Sequence, residues 1–139
     1  MRFEEWEPIY EEILRDFGFD REDDVRARDL LAEHVDPFDF DRLSLQGRTV
    51  AIAGGSPALE TELDVLRGAD VIVAASTAGD VLRRAAVDID LLVTDLDKTP
   101  QTAIEMSREG VPVAVHAHGD NIPALREYLS TFELSNVLG

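Results

Sequence analysis

The stretch LLVTDLDK, Leu91 to Lys98, carries two signals that together indicate the architecture of this chain. An apolar run ends in Thr94, and two carboxylates follow it, Asp95 and Asp97, two residues apart. A short apolar run bounded by polar residues is typical of a buried strand, which places both acids at the carboxyl end of that strand. The two acids are either surface charges of a very acidic chain or ligands for a metal ion and phosphate groups.

Other apolar, β-rich runs lie on both sides of this stretch. Together they predict strands at residues 49–53, 71–74, 91–94 and 113–116. The segments between and after them are amphipathic: residues 58–66, 79–86, 101–109 and 122–129. Apolar strands that alternate with amphipathic helices indicate an α/β fold with a parallel sheet covered on both faces, and with right-handed crossovers.

The first 36 residues follow a helical pattern instead. Apolar residues recur at helical spacing: Phe3, Trp6, Ile9, Tyr10, Ile13, Leu14 and Phe17. Gly18 ends this helix, and Asp20 can cap a second one. Three residues of the second helix are expected to face a core: Val25, Leu30 and Leu31. A break at residues 36–37 then separates a helical N-terminal region, 1–36, from an α/β domain, 47–139.

The charge of the chain is extreme. Its 139 residues carry a formal net charge of −16, and Lys98 is the only lysine. Acidic residues are spread along the whole chain, which we interpret as a surface adapted to high salt, where ions screen the self-repulsion. A nucleic-acid mimic is the alternative interpretation.

The composition also excludes several classes of function. Without a basic patch, we expect no binding to nucleic acid. Without cysteine, neither a disulfide nor a thiolate metal site can form. No apolar run approaches the roughly 20 residues of a membrane span, and the N-terminus lacks the apolar core of a signal peptide. We therefore expect a cytoplasmic protein without a membrane partner.

In a parallel α/β sheet, ligands bind beyond the carboxyl ends of the strands. The first predicted strand is followed by Gly54, Gly55 and Ser56, either a plain turn or a phosphate-binding turn at the start of a helix. The second is followed by Ser76 and Thr77, whose hydroxyls we interpret as helix caps, with ligand contact as the alternative.

The third and fourth strand ends carry more chemistry. Asp95 and Asp97 offer the oxygen ligands that Mg²⁺ prefers. The fourth end presents four polar side chains: His116, His118, Asp120 and Asn121. The two histidines share a face if the strand extends that far, and the acid or the amide is expected to cap the next helix. A zinc site would need a third ligand, and His34 is far away in sequence.

Three of these stretches, AGGSPAL, LLVTDLDK and VHAHGDN, are similar in order and spacing to the archaeal 6-hydroxymethyl-7,8-dihydropterin pyrophosphokinases of the MptE type. The resemblance covers nearly the whole chain. It implies a Rossmann-like parallel sheet, as in the catalytic fold of thiamine pyrophosphokinase. It also implies Mg²⁺-dependent transfer of pyrophosphate from ATP to a reduced pterin, with release of AMP, in folate or methanopterin biosynthesis.

The resemblance assigns parts to the residues at the strand ends. Asp95 and Asp97 would hold Mg²⁺ and, with His118, form the catalytic group, in which a carboxylate or a histidine accepts the proton of the pterin hydroxymethyl. A second set would bind the ATP phosphates: Gly54, Gly55 and Ser56. A third set would contact the pterin: Ser76, Thr77, His116, His118, Asp120 and Asn121.

The chain departs from the family pattern at three places. Lys98 stands where the family has Gly, Ser76-Thr77 stands where it has Asp-Gly, and the family continues well beyond Gly139. We therefore expect the α/β domain to be C-terminally incomplete. Its exposed sheet edge would then favour pairing into a homo-oligomer.

Two alternative functions follow from the same residues. A truncated, non-catalytic paralogue would bind nucleotide or pterin without turnover. A haloacid dehalogenase-type phosphatase would use the DxDxT motif in TDLDKT, with Asp95 as nucleophile and Asp97 as acid/base. That motif normally lies on the first strand, whereas here two strands precede it.

Overall fold

The computed structural model describes residues 2–139, which form a five-stranded parallel sheet and six α-helices. The strands are β1 Val50–Ala53, β2 Val71–Ala75, β3 Leu91–Thr94, β4 Val113–Val115 and β5 Val137–Leu138. The helices are α1 Phe3–Phe17, α2 Arg21–Ala32, α3 Leu63–Leu66, α4 Ala78–Arg84, α5 Pro100–Arg108 and α6 Ile122–Tyr128. In the described part of the chain, none of these helices has both the length and the hydropathy needed to cross a bilayer.

The two N-terminal helices form as predicted. Gly18 ends α1 with a left-handed φ of 70°, and its N–H donates to the carbonyl of Leu14. The Asp20 side chain caps α2 by accepting from the N–H of Glu22 at 2.9 Å.

The buried side of α2 is narrower than predicted. Leu31 is buried and Leu30 is half-buried, but Val25 is 38% exposed, so the expectation that it faces the core is wrong. Its neighbour Ala27 faces the core instead. Since each helical residue turns by about 100°, Val25 lies about 200° away from Ala27 around the helix.

The sheet confirms the predicted α/β class. All neighbouring strands are parallel, and their spatial order is the order in the chain, β1-β2-β3-β4-β5. The four predicted strands are present, with ends that differ by one residue at most. The sequence analysis missed β5, because a strand of only two residues leaves no recognisable pattern.

The helices cover one face of the sheet. Side chains from α2 and from α3 to α6 share one core with alternate strand residues: Ala53, Ile72, Ala74, Leu92, Val113, Val115 and Val137. A strictly sequential order with crossovers of one hand places every crossover helix on the same side. The expectation that both faces are covered is therefore wrong for the residues that the structure describes.

One predicted helix is interrupted. The segment 58–66 contains a 3₁₀ turn, Leu59–Thr61, and then the single-turn helix α3. The Thr61 hydroxyl donates to the carbonyl of Ala58 at 2.8 Å, a local bond that competes with a continuous α-helix. As a result, no long helix begins at the turn after β1.

Candidate functional site

Three of the predicted catalytic side chains meet at the carboxyl end of the sheet. One ligand atom from each of Asp95, Asp97 and His118 lies within 4.8 Å of the others. The strands that carry them are neighbours, since Thr94 of β3 pairs with Val115 of β4. Residues 23 positions apart in sequence are therefore brought together by the pairing of two parallel strands.

The turn after β3 fixes the two carboxylates. The Thr94 hydroxyl accepts from the N–H of Leu96 at 3.0 Å, and Asp95 Oδ1 accepts from the N–H of Asp97 at 3.2 Å. Leu96 has a φ of +65° yet is buried in the core. A branched residue takes this conformation only where its surroundings hold it, so burial of Leu96 stabilises the turn that presents the acids.

Asn121 joins the turns that follow β3 and β4. It is 1% exposed, and its Nδ2 donates to the carbonyls of Asp95 at 2.7 Å and His116 at 2.8 Å. Its Oδ1 accepts from the N–H of His118 at 3.0 Å. Both amide protons are thus used within the protein, and the side chain makes no capping bond to α6, contrary to one of the capping alternatives. Asn121 therefore holds the turns after β3 and β4 in position relative to each other.

The N-terminal helices also hold the segment after β4 that carries His116 and His118, called here the histidine turn. Asp24 of α2 accepts from the N–H of Gly119 at 2.8 Å and, through its other oxygen, from the Tyr10 hydroxyl of α1. A Cβ at position 119 would lie 2.6 Å from Asp23 Cβ, so only glycine allows this approach. Burial, and then the hydrogen bond to Asp24, raise the pKa of Tyr10 to about 12. The sequence analysis missed this link, because Asp24 and Gly119 are far apart in sequence.

The turns after β1 and β2 contact each other. A Cβ on Gly55 would lie 2.5 Å from the Thr77 hydroxyl oxygen. The Ser76 N–H donates to the carbonyl of Val93 at 2.7 Å, which places this turn beside the end of β3. Thr77 makes no capping bond to α4, so that interpretation of its hydroxyl is wrong. Ser56 accepts from the N–H of Ala58 at 3.2 Å and caps only a tight turn.

The remaining predicted residues fall into two cavities on either side of the histidine turn. Asp120 and His118 line one of about 300 Å³, together with Tyr10 and Asp24. His116 lines another of about 410 Å³ beside the end of α2. The two imidazole rings lie 5.7 Å apart, although β4 ends before them. The structure therefore gathers Asp95, Asp97 and His118, but not His116, into one cluster.

The donor atoms of the cluster fit a divalent cation. Two carboxylates at a half-open surface leave room for water and phosphate oxygens, which is how Mg²⁺ is commonly held in nucleotide sites. The imidazole of His118 adds a nitrogen, a donor that suits Mn²⁺, Fe²⁺ or Zn²⁺ better than Mg²⁺. His118 can therefore act as a third ligand or as a proton acceptor beside the candidate metal site.

No protein-family model matches the chain. Three curated relatives align with it, and each is named 6-hydroxymethyl-7,8-dihydropterin pyrophosphokinase. The relative from Methanocaldococcus jannaschii is 32% identical over 100% of this chain and 61% of its own length. The relative from Methanothermobacter thermautotrophicus is 36% identical over 100% and 62%. The relative from Pyrococcus furiosus is 38% identical over 90% and 56%.

These relatives are longer than the chain, which spans 56 to 62% of their length. The alignments with the first two relatives cover 100% of the chain, so they include both the N-terminal helices and the strand ends that form the cluster. This confirms the resemblance predicted from the sequence. The chain is homologous to the archaeal 6-hydroxymethyl-7,8-dihydropterin pyrophosphokinase family.

Proposed function

We propose that the chain provides the nucleotide- and metal-binding part of an enzyme that transfers pyrophosphate from ATP to 6-hydroxymethyl-7,8-dihydropterin and releases AMP. The observation that carries the proposal is the meeting of Asp95, Asp97 and His118 at the strand ends. The names of the three relatives supply the reaction. The chain spans 56 to 62% of their length. That this chain is active on its own is therefore also a proposal.

Asp95 and Asp97 are the residues that would hold Mg²⁺. The ion, when bound, would neutralise charge on the triphosphate, which an acidic protein otherwise repels. The turn after β3 supports this role, since two side-chain-to-backbone bonds fix the direction of both carboxylates. Pre-positioned ligands lose little conformational freedom on binding.

The proposed chemistry is an attack by the pterin hydroxymethyl oxygen on the β-phosphorus of ATP. The bond between this phosphorus and the α,β-bridging oxygen breaks, and AMP leaves with that oxygen. The proton of the hydroxyl goes to a ring nitrogen of His118, which lies beside both carboxylates. Asn121 and Asp24 hold the backbone of the histidine turn, so the ring keeps its place relative to the acids. Positioning of this kind is a large part of catalysis in phosphoryl transfer.

The phosphates of ATP would lie along the strand ends, toward Ser76 and the turn at Gly54 and Gly55. The short elements after β1 do not offer the N-terminus of a long helix. Binding there would therefore depend on the turn itself, where Gly55 allows close approach to Thr77. Exposed Lys98 beside the acids is a further partner for phosphate oxygens.

Release of AMP from ATP and the reduced pterin, in high salt with Mg²⁺, tests the proposal. Asp95→Asn and His118→Gln are each expected to lower the rate by about 10²- to 10⁴-fold. His34→Gln is the matched control, since His34 is exposed and, among the residues that the structure describes, its ring is hydrogen-bonded to the carbonyl of Leu30. Wild-type activity in Asp95→Asn would contradict the proposal.

A non-catalytic binding protein is the second candidate. It is favoured by the finding that the chain spans only 56 to 62% of the length of its relatives. Such a protein would bind the Mg–nucleotide through Asp95 and Asp97 without releasing AMP. Binding of a non-hydrolysable ATP analogue together with absent turnover would assign the chain to this second function.

A further inference from the structure

The face of the sheet opposite the helices is apolar. Its exposed and half-buried members, called here the open face, are Val50, Ile52, Val73, Ala75, Val93 and Ala114. The strand register places them on one side, since Ile52 pairs with Val73, Ala75 with Val93, and Val93 with Ala114. Ile52 is 76% exposed. Six apolar residues on four adjacent strands therefore form one continuous surface.

Part of this face, at β3 and β5, is covered within the described residues. Phe38 and Leu43 line a small cavity with Leu91 and Leu138, and these last two strand residues are buried. The open face lies beside them and extends to β1, since Leu91 pairs with Val73 and Leu138 pairs with Ala114. Parallel sheets are almost always covered on both faces, because their strands are apolar on both sides. An uncovered surface of this kind marks an interaction site.

Two kinds of occupant can be compared. A second copy would bring together two chains that each carry a net charge of −16, and this repulsion opposes self-association. The three relatives contain the region homologous to this chain and, in addition, 38 to 44% of their length that the chain does not span. The homologous region of the relatives implies the same sheet. The corresponding face of that sheet must therefore also be covered in the relatives.

We propose that the open face docks the polypeptide that corresponds to the part of the relatives' length not spanned by this chain. The occupant packs apolar side chains against Ile52 and Val73 and lies on the side of the sheet opposite to α2–α6. Ala75 directly precedes Ser76, and Val93 lies two residues before Asp95. The docked polypeptide therefore borders the candidate site and shields it from water.

The chain contains no cysteine. The labelling rate of a single introduced cysteine therefore measures whether that one position is covered. Ile52→Cys places the thiol on the open face. Val65→Cys is the matched control: Val65 is also β-branched and 76% exposed, but it lies on α3, on the opposite side of the sheet. The rate of maleimide labelling of each variant is followed by intact mass.

The partner in this experiment consists of the residues of the Methanothermobacter thermautotrophicus relative that lie outside its alignment with the chain. It is supplied in two ways, by co-expression as a separate polypeptide and by fusion to the chain. In at least one arm, labelling at position 52 is expected to slow by about tenfold or more, whereas labelling at position 65 stays unchanged.

Equal labelling at position 52 with and without the partner in both arms would overturn the proposal. So would equal protection at both positions, since that reflects a general association. Protection at position 52 that grows with the concentration of the chain alone would identify a second copy as the occupant and overturn the proposal as well. None of these outcomes depends on AMP release, so the docking and the proposed activity fail separately.

Discussion

At the scale of single residues, Asn121 connects the two halves of the candidate site. Its buried amide makes three hydrogen bonds, to the main chain of Asp95, His116 and His118. Removing a buried side chain of this kind leaves its partners without hydrogen bonds, and each unsatisfied group costs about 1–3 kcal/mol. The spacing between Asp95 and His118 is therefore expected to depend on Asn121.

Asn121→Ala is expected to lower the free energy of unfolding by roughly 2–4 kcal/mol and to weaken metal binding by about 10- to 100-fold. Urea unfolding and the spectrum of bound Mn²⁺, used as a paramagnetic probe, measure the two effects. Asn136→Ala is the control, because Asn136 also donates to a carbonyl, that of Ser107 at 2.8 Å, but away from the cluster. It should lose stability and keep its Mn²⁺ affinity. Equal Mn²⁺ binding in both variants would contradict the positioning role.

Tyr10 and Asp24 allow a prediction about pH. Burial, then the hydrogen bond and charge of Asp24, raise the pKa of Tyr10 from 10.0 to about 12; Glu11 adds slightly and Arg21 opposes the shift. Between about pH 10 and 12 the folded protein keeps a proton that the unfolded chain releases. Stability contributed by Tyr10 is therefore complete below pH 10 and is lost as the pH rises toward 12.

Asp24→Asn should lower the pKa of Tyr10 and make the loss of stability above pH 10 less steep. Tyrosinate absorbance, taken as the difference between each chain and its Tyr10→Phe counterpart, isolates this group from Tyr128, whose pKa is also raised. The same subtraction applied to urea melts gives the stability effect. A titration of Tyr10 that does not change in Asp24→Asn would mean that burial alone sets its pKa.

Sequence reasoning reached some of these residues and not others for a physical reason. Asp95, Asp97 and His118 could be predicted because each lies within three residues of the end of a strand, and parallel strand ends lie on one edge of a sheet. Asp24 lies in an acidic helix where nothing distinguishes it from its neighbours. Its partner, the N–H of Gly119, is a main-chain group, and main-chain groups leave no trace in a sequence pattern.

At the scale of elements, the contact between α2 and the turn Gly119–Asn121 controls the position of the histidine turn. A Cβ at position 119 would lie 2.6 Å from Asp23 Cβ and 3.4 Å from the Asp23 carbonyl carbon. The side chain of Asp23 cannot avoid this clash by rotation, because Cβ and the carbonyl carbon are fixed to the helix backbone. Any added methyl group must push the helix and the turn apart.

Gly119→Ala is therefore expected to destabilise the protein by about 1–3 kcal/mol and to weaken Mn²⁺ binding. Gly68→Ala is the matched control, since its added Cβ would meet only the carbonyl oxygen of Val65 at 3.7 Å, an ordinary contact. That variant should unfold within about 1 kcal/mol of the wild type and bind Mn²⁺ normally. Unchanged Mn²⁺ affinity in Gly119→Ala would show that α2 does not set the position of His118.

The elements themselves were predictable where periodicity was strong. The strands β1 to β4 and the helices α1, α2 and α4 to α6 have clear patterns and correspond to predicted segments. The strand β5 is too short to have a period. The uncovered face could not be predicted either, because a continuous apolar run shows that a strand has two apolar sides but not which elements cover them.

At the scale of the whole molecule, the net charge of −16 acts on every anionic ligand. ATP approaches a surface of its own sign, and this repulsion is long-ranged but screened by salt. The cluster of Asp95, Asp97 and His118 acts differently, since its effect depends on a bound cation and a fixed geometry. Net charge and local geometry therefore give opposite expectations when one carboxylate is neutralised.

The last prediction separates these two effects by calorimetric titration of a non-hydrolysable ATP analogue in high salt. With Mg²⁺, Asp95→Asn or Asp97→Asn should lower the affinity by about tenfold or more, since each removes a ligand of the ion. Without Mg²⁺, the same variants should bind the analogue as well as the wild type or better, because one repulsive charge is gone. Metal and nucleotide must also strengthen each other's binding by the same factor.

Asp64→Asn provides the control for net charge. Asp64 has an almost fully exposed side chain on α3 and pairs with Arg67, so its neutralisation removes the same unit of charge at a residue outside the cluster. It should leave Mg–nucleotide binding unchanged. If all three variants instead bind the Mg–nucleotide better than the wild type, net charge governs binding. If Asp95→Asn and Asp97→Asn bind it as the wild type does, the two acids after β3 are surface charges, and the cluster holds no metal.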